Sequence, residues 1–113
     1  MRKIASNYVD LPGFGSLEHV YAEIEGNRLF RLMPFQDGGI KEMEGLEFYA
    51  GILVEGDFSR ILTDHVGHDI TSVIEEAYKD GDTGFRRGDG FYIISGIDWE
   101  KKEITGRSRC VKV

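Results

Sequence analysis

The stretch His19-Val20-Tyr21-Ala22-Glu23-Ile24-Glu25-Gly26-Asn27-Arg28-Leu29-Phe30-Arg31-Leu32-Met33 decides the fold class. Two runs rich in β-branched, aromatic and aliphatic residues flank Gly26-Asn27, a pair suited to the positive φ angles of a two-residue hairpin turn. A hairpin closed there sets Glu25 opposite Arg28, Ile24 opposite Leu29, Ala22 opposite Arg31 and Val20 opposite Met33. Tyr21, Phe30 and Leu32 then occupy the other face. Apolar side chains on both faces predict strands that are covered on both sides for part of their length.

The same reading extends outward. Residues 3–9 predict a first strand, which Leu11-Pro12-Gly13-Phe14-Gly15 terminates. Residues 34–46 hold Pro34, Gly38, Gly39 and Gly45 and read as a long excursion. A second hairpin is expected from residues 47–55 and 58–63 around Gly56-Asp57. A third is expected from residues 90–97 and 103–113, joined near Asp98-Trp99-Glu100-Lys101-Lys102. Phe91-Tyr92-Ile93-Ile94 is apolar on both faces and predicts a central strand. Ile70, Val73, Ile74, Ala77 and Tyr78 recur at helical spacing. Asp69, or Ser72 with Glu75, supplies the N-cap of that helix, and Gly81 supplies its stop. So short a helix must dock on a sheet to persist. The expected fold is a single α+β domain over residues 1–113, mainly antiparallel and hairpin-rich. Six to seven strands form a twisted sheet or half-open barrel, with one short amphipathic helix packed on it.

Composition agrees with one core. The chain has 113 residues, of which 41% are apolar and 12% aromatic. Its fifteen glycines are about twice the typical share and fit a turn-rich chain. A net charge of −6 lacks the cationic footprint of a general nucleic-acid binder. The single cysteine, Cys110, has no intramolecular partner. The longest apolar run, residues 48–54, is too short to cross a bilayer, and the basic N-terminus is not followed by the apolar region of a signal peptide. A cytoplasmic protein with no membrane partner is expected.

Few residues suggest catalysis. Asp64-His65-Val66-Gly67-His68-Asp69 places two imidazoles and two carboxylates between a strand end and a helix start, a mixture that divalent metals accept. The alternative is that the aspartates cap the helix and the histidines are loop residues. Cys110 follows Arg109, which would favour a thiolate, but a lone cysteine in a strand is more often a small core residue. Neither a Gly-x-Ser-x-Gly elbow nor a phosphate-binding loop is present. Asp80-Gly81-Asp82-Thr83-Gly84 begins like a calcium loop, but Phe91 stands where the closing glutamate belongs. Arg87-Gly88-Asp89 reads as a turn. Trp99 either anchors an interface or folds back on its own hairpin. No cofactor is expected.

The charges are unevenly spread. Residues 1–35 balance, residues 36–82 carry twelve carboxylates against three cations, and residues 83–113 carry seven cations against four carboxylates. An acidic face attracts a basic partner and speeds encounter. The leading expectation is therefore a non-enzymatic inhibitor or immunity-type protein. It would use Glu42, Glu44, Glu47, Glu55, Asp57, Glu75, Glu76 and Trp99 to block a protein with a basic surface, itself nucleic-acid-handling in the simplest case. Nucleic acid is not an expected direct partner. The alternative in which the acidic middle is neutralised by the basic tail remains open. A second reading is a small metal-dependent hydrolase or ligand-binding domain built on His65, His68, Asp64 and Asp69. A third is an accessory subunit or homo-oligomer that docks through Met33, Pro34, Phe35, Met43 and Leu46.

Overall fold

The hairpin at Gly26-Asn27 forms, and the sheet grows from it. In the computed structural model, which describes residues 1–35, 45–79 and 87–113, the strands are β1 (Arg2–Leu11), β2 (Gly15–Leu17), β3 (Val20–Glu25), β4 (Arg28–Pro34), β5 (Leu46–Glu55), β6 (Phe91–Ser95) and β7 (Arg109–Lys112). Two helices, α1 (Ser59–Asp64) and α2 (Ile70–Lys79), follow β5, and a single 3-10 turn (Arg87–Asp89) precedes β6. The fold is α+β. Its seven strands form one sheet in the order β4-β3-β1-β5-β6-β7, with β2 paired to the end of β1. The sheet is open, with β4 and β7 at its edges. The proposed helix stop at Gly81, the loop at Asp80-Gly81-Asp82-Thr83-Gly84, and residues Glu42, Met43 and Glu44 lie outside the described residues.

Four expectations are corrected. The sheet is not purely antiparallel, because β5 runs parallel to β1, pairing Lys3 with Leu46 through Asp10 with Val54. The hairpin and β2 occupy one edge of β1, so the returning chain joins the edge that remains free. Secondly, the 58–63 strand is a helix. Phe58, Ile61 and Leu62 are all buried, and their spacing is that of one helical face. The Asp57 carboxylate accepts hydrogen bonds from the Ser59 amide (2.9 Å) and hydroxyl (2.6 Å), so Gly56-Asp57 opens a helix rather than a hairpin. The antiparallel neighbour of β5 is β6 instead.

Thirdly, the register of the first hairpin slips after two pairs. Glu25 faces Arg28 and Ile24 faces Leu29, but then Glu23 faces Arg31 and Ala22 faces Leu32. Phe30 is the extra residue of a β-bulge and is 62% exposed. The slip turns Leu32 to the same side as Leu29, where both pack on the core. Fourthly, the last hairpin is short. Gly96 (φ +75°) lies against the Arg107 carbonyl, and the chain leaves the sheet there. Residues 96–108 dock on the helix connection through Ile70 N–H to Lys102 O (2.9 Å), Ile104 N–H to His68 O (2.9 Å) and Gly67 N–H to Ile104 O (2.7 Å).

The sheet separates two cores. On one side Ile52, Val54 and Ile94 meet Phe58, Ile61, Leu62, Ile70, Val73, Ile74 and Ala77 of the helical layer, with Ile97 and Ile104 of the loop. On the other side Ile4, Val9, Leu11, Ala22, Ile24, Leu53, Phe91 and Ile93 pack against one another because the sheet curls. The curl brings the β3–β4 turn to the 3-10 turn, where the Asn27 side-chain amide donates to Gly88 O (3.4 Å). Phe91 and Ile93 fill one core while Ile94 enters the other, so β6 is covered on both faces.

Candidate functional site

The helical layer carries most of the described acidic side chains of the middle segment. Asp57 and Asp64 bracket α1, Asp69 precedes α2, and Glu75 and Glu76 lie on its outer surface, all five exposed. Among the described residues, Glu75 alone of these has an ion pair, with Lys79 one turn on (2.9 Å). Asp64, Asp69 and Glu76 line one cleft of about 550 Å³ together with Arg60, His65, His68 and Ser72. The Asp69 carboxylate accepts the Ser72 amide (2.9 Å), capping α2.

The two histidines lie side by side, their rings edge-to-face at 5.2 Å. His65 Nδ1 is 2.7 Å from the Ile61 carbonyl and so carries its proton there when the ring is neutral. Its other nitrogen is left for a ligand. Among the described residues, however, no three His, Cys, Asp or Glu side chains are grouped closely enough to hold a metal ion.

The other sequence-selected residues are dispersed. Glu47 sits at the far end of β5 and makes a bidentate pair with Arg2, through 2.7 and 2.9 Å contacts, while also accepting from Tyr49 Oη (2.8 Å). The Arg2 hydrogen bond holds the Glu47 carboxyl below its ordinary range. Tyr49 packs on the curled-sheet core, so Glu47 belongs to that side rather than to the helical layer. Glu55 is half-buried, and its amide donates to Tyr78 Oη (3.1 Å). Glu42 and Glu44 are outside the described residues. Trp99 does not fold back on its own hairpin but stacks on Tyr8 of β1, with centroids 5.2 Å apart and planes at 22°, and stays 41% exposed. Cys110 is half-buried, and its sulfur accepts the Phe58 amide (3.3 Å). Burial pushes its thiol up to about 12, which disfavours the thiolate at neutral pH.

Sequence reasoning missed Asp10. This residue is the penultimate one of β1, on the helix side of the sheet, and is only 5% exposed. It lies where two hollows meet. One, of about 590 Å³, is lined by Pro12, Gly13, Gly15, Thr71, Glu75 and Lys79; the other is a narrow crevice bounded by Tyr8, Trp99 and Lys102. Ser16 and Thr71 border both. The Asp10 carbonyl accepts Tyr78 Oη (2.7 Å), which ties β1 to α2 at this point. Burial raises the Asp10 carboxyl from 3.8 to about 6, and the negative charge of Glu75 adds to the effect. A single aspartate next to Leu-Pro-Gly gives no sequence signal, because its burial depends on α2 arriving from sixty residues away.

Compared with protein-family models, curated proteins and solved structures, the chain matches none. No helix among the described residues is long and apolar enough to cross a membrane.

Proposed function

We propose that this protein is a non-enzymatic binding protein of the inhibitor or immunity type, which blocks a partner with a basic surface by presenting its helical layer. The observation that carries the reading is the cleft between α1 and α2, where Asp64, Asp69 and Glu76 converge without an ion pair among the described residues. Arg60 is the one described cation in that lining. Unpaired carboxylates on a solvated face cost little in the free protein and are available to the cations of a partner. A nuclease or other protein that handles nucleic acid presents such a surface, since its own ligand is a polyanion. Asp57, Glu75 and Glu76 extend the acidic face along the helices, and Trp99 supplies an aromatic anchor at the margin.

The experiment is affinity capture with immobilised protein from extract of the cells that make it, washed at about 50 mM and then about 500 mM salt, where the screening length falls several-fold. The partner is expected to be a basic protein that elutes at the higher salt. The double substitution Asp64→Lys with Glu76→Lys is expected to lower its retention at least tenfold, whereas Glu47→Gln, in the Arg2 pair, leaves it unchanged. Retention of the same protein by the double variant would sink the proposal.

A further inference from the structure

Asp10 carries a charge that the protein itself does not use. The residue is only 5% exposed, and among the described residues its carboxyl has neither a hydrogen bond nor an ion pair; its oxygens keep contact with solvent only through the two hollows. Buried carboxylates in folded proteins are ordinarily paired, because leaving water without a partner is costly. The two cations near the groove are turned elsewhere. Lys79 Nζ is on Glu75 (2.9 Å), and Lys102 Nζ sits over the Tyr8 ring, 5.3 Å from its centroid.

We infer that the groove at the end of β1 receives one basic side chain of the partner protein, whose guanidinium or ammonium group pairs with the Asp10 carboxylate. The inference rests on the reading of this chain as a binder of basic proteins, and adds to it a second contact, separate from the α1–α2 cleft. The sign of the site follows from its charges, since Asp10 and the neighbouring Glu75 together repel anions and attract a cation. The class of cation follows from the ligand count. Two carboxylates do not make a metal cage, and no three potential ligands are grouped among the described residues. An organic cation needs one carboxylate and a few hydrogen-bond acceptors, which the hydroxyls of Ser16 and Thr71 at the same junction provide. The methylene stem of such a side chain is accommodated along Pro12, Gly13 and Gly15, where nothing lies within 4 Å of the two glycine α-carbons' missing side chains.

The test uses the full chain labelled with carbon-13 at the aspartate carboxyls, titrated at constant ionic strength with acetyl-Gly-Arg-Gly-amide. The same peptide with citrulline replacing arginine, alike in shape but uncharged, is the control. The arginine peptide is expected to shift the Asp10 carboxyl resonance, to lower its apparent pKa by about one unit or more, and to bind at least tenfold more tightly than the citrulline peptide. Asp10→Asn is expected to abolish that preference, and Glu76→Gln, in the other cleft, to preserve it. Equal binding of the two peptides, or an undiminished preference in Asp10→Asn, overturns the inference. If the peptide preference fails while salt-sensitive capture on the helical layer persists, the groove assignment alone is overturned. If capture fails while the preference at Asp10 persists, the basic-partner reading is overturned and the cation site is supported.

Discussion

Gly51 shows how closely single residues are held in this sheet. It lies where β1 and β5 change register, with Ala50 and Gly51 of β5 opposing the single residue Asn7 of β1. Such a bulge leaves backbone groups without ladder partners, and β1 satisfies them with side chains: Asn7 Oδ1 accepts the Gly51 amide (2.8 Å) and Ser6 Oγ accepts the Leu53 amide (3.2 Å). The buried Ser6 hydroxyl in turn donates to the Tyr8 carbonyl. Gly51 has φ +131°, and a Cβ there would sit 2.1 Å from the Ile94 carbonyl oxygen on β6. Neither the conformation nor the adjacent backbone can yield cheaply. Gly51→Ala is therefore expected to cost at least about 3 kcal/mol in urea unfolding. A loss below about 1 kcal/mol would mean that the strands separate there without penalty. Gly13 has a positive φ too, but open space around it, so the same substitution at that position meets strain without collision.

At the scale of elements, the two helices are held by different means. The α2 helix buries Ile70, Val73, Ile74 and Ala77 and begins at an aspartate cap. Asp69→Ala removes the acceptor for the Ser72 amide and is expected to lower stability by about 1 kcal/mol, while Asp69→Asn, which keeps an acceptor, stays within a few tenths. Equal losses in the two variants would show that the charge of Asp69, rather than its hydrogen bond, holds the helix start. The α1 helix is only six residues long and has no side-chain cap at its N-terminal boundary residue, Phe58. Its support is tertiary. The Phe58 ring is fully buried and meets the Tyr78 ring edge-on at 5.8 Å, and the Phe58 amide reaches Cys110 on β7. A helix this short does not persist alone in water. It forms because three apolar side chains find the core that α2 and the sheet have built.

For the molecule as a whole, Asp10 makes stability depend on pH. Its carboxyl titrates near 3.8 when unfolded and at about 6 when folded. Between those values the folded chain keeps a proton that the unfolded chain has released, so stability falls as pH rises from about 4 to about 6 and then levels off. Five groups bound this carboxyl's surroundings: Tyr8 on β1, Glu75 and Tyr78 on α2, Lys102 on the loop after β6, and Lys79 at the groove mouth. Of these, Glu75 acts on it, raising its pKa further. With partial solvent access taken into account, the penalty above pH 6 is about 2 kcal/mol. Asp10→Asn is expected to remove this component of the pH dependence and to raise stability at pH 7 by up to that amount, as read by urea unfolding from pH 3.5 to 8. A variant with the same pH profile as the parent would place the titration elsewhere.

Local pattern alone determined several features of this protein. Gly26-Asn27 fixed a hairpin and its first two pairs, since turn chemistry acts between neighbours. The apolar run at residues 91–94 identified a strand buried on both faces, and the spacing from Ile70 to Ala77 identified α2. The sequence also showed an acidic middle, five of whose carboxylates are exposed in the helical layer. What tertiary structure decided involves partners distant in the chain. The Phe30 bulge arises because Leu32 must join Leu29 in the core, and the strand expected at residues 58–63 becomes α1 because β6, from beyond residue 90, takes the edge of β5. The parallel pairing of β1 with β5 has no local code, since it depends on which edge the hairpin leaves free. The same holds for function. Charge along the chain drew attention to Glu47, which folding commits to Arg2, and passed over Asp10, which becomes exceptional only when α2 removes it from water. Charge is a property of a residue, but the free energy of that charge is set by what surrounds it after folding.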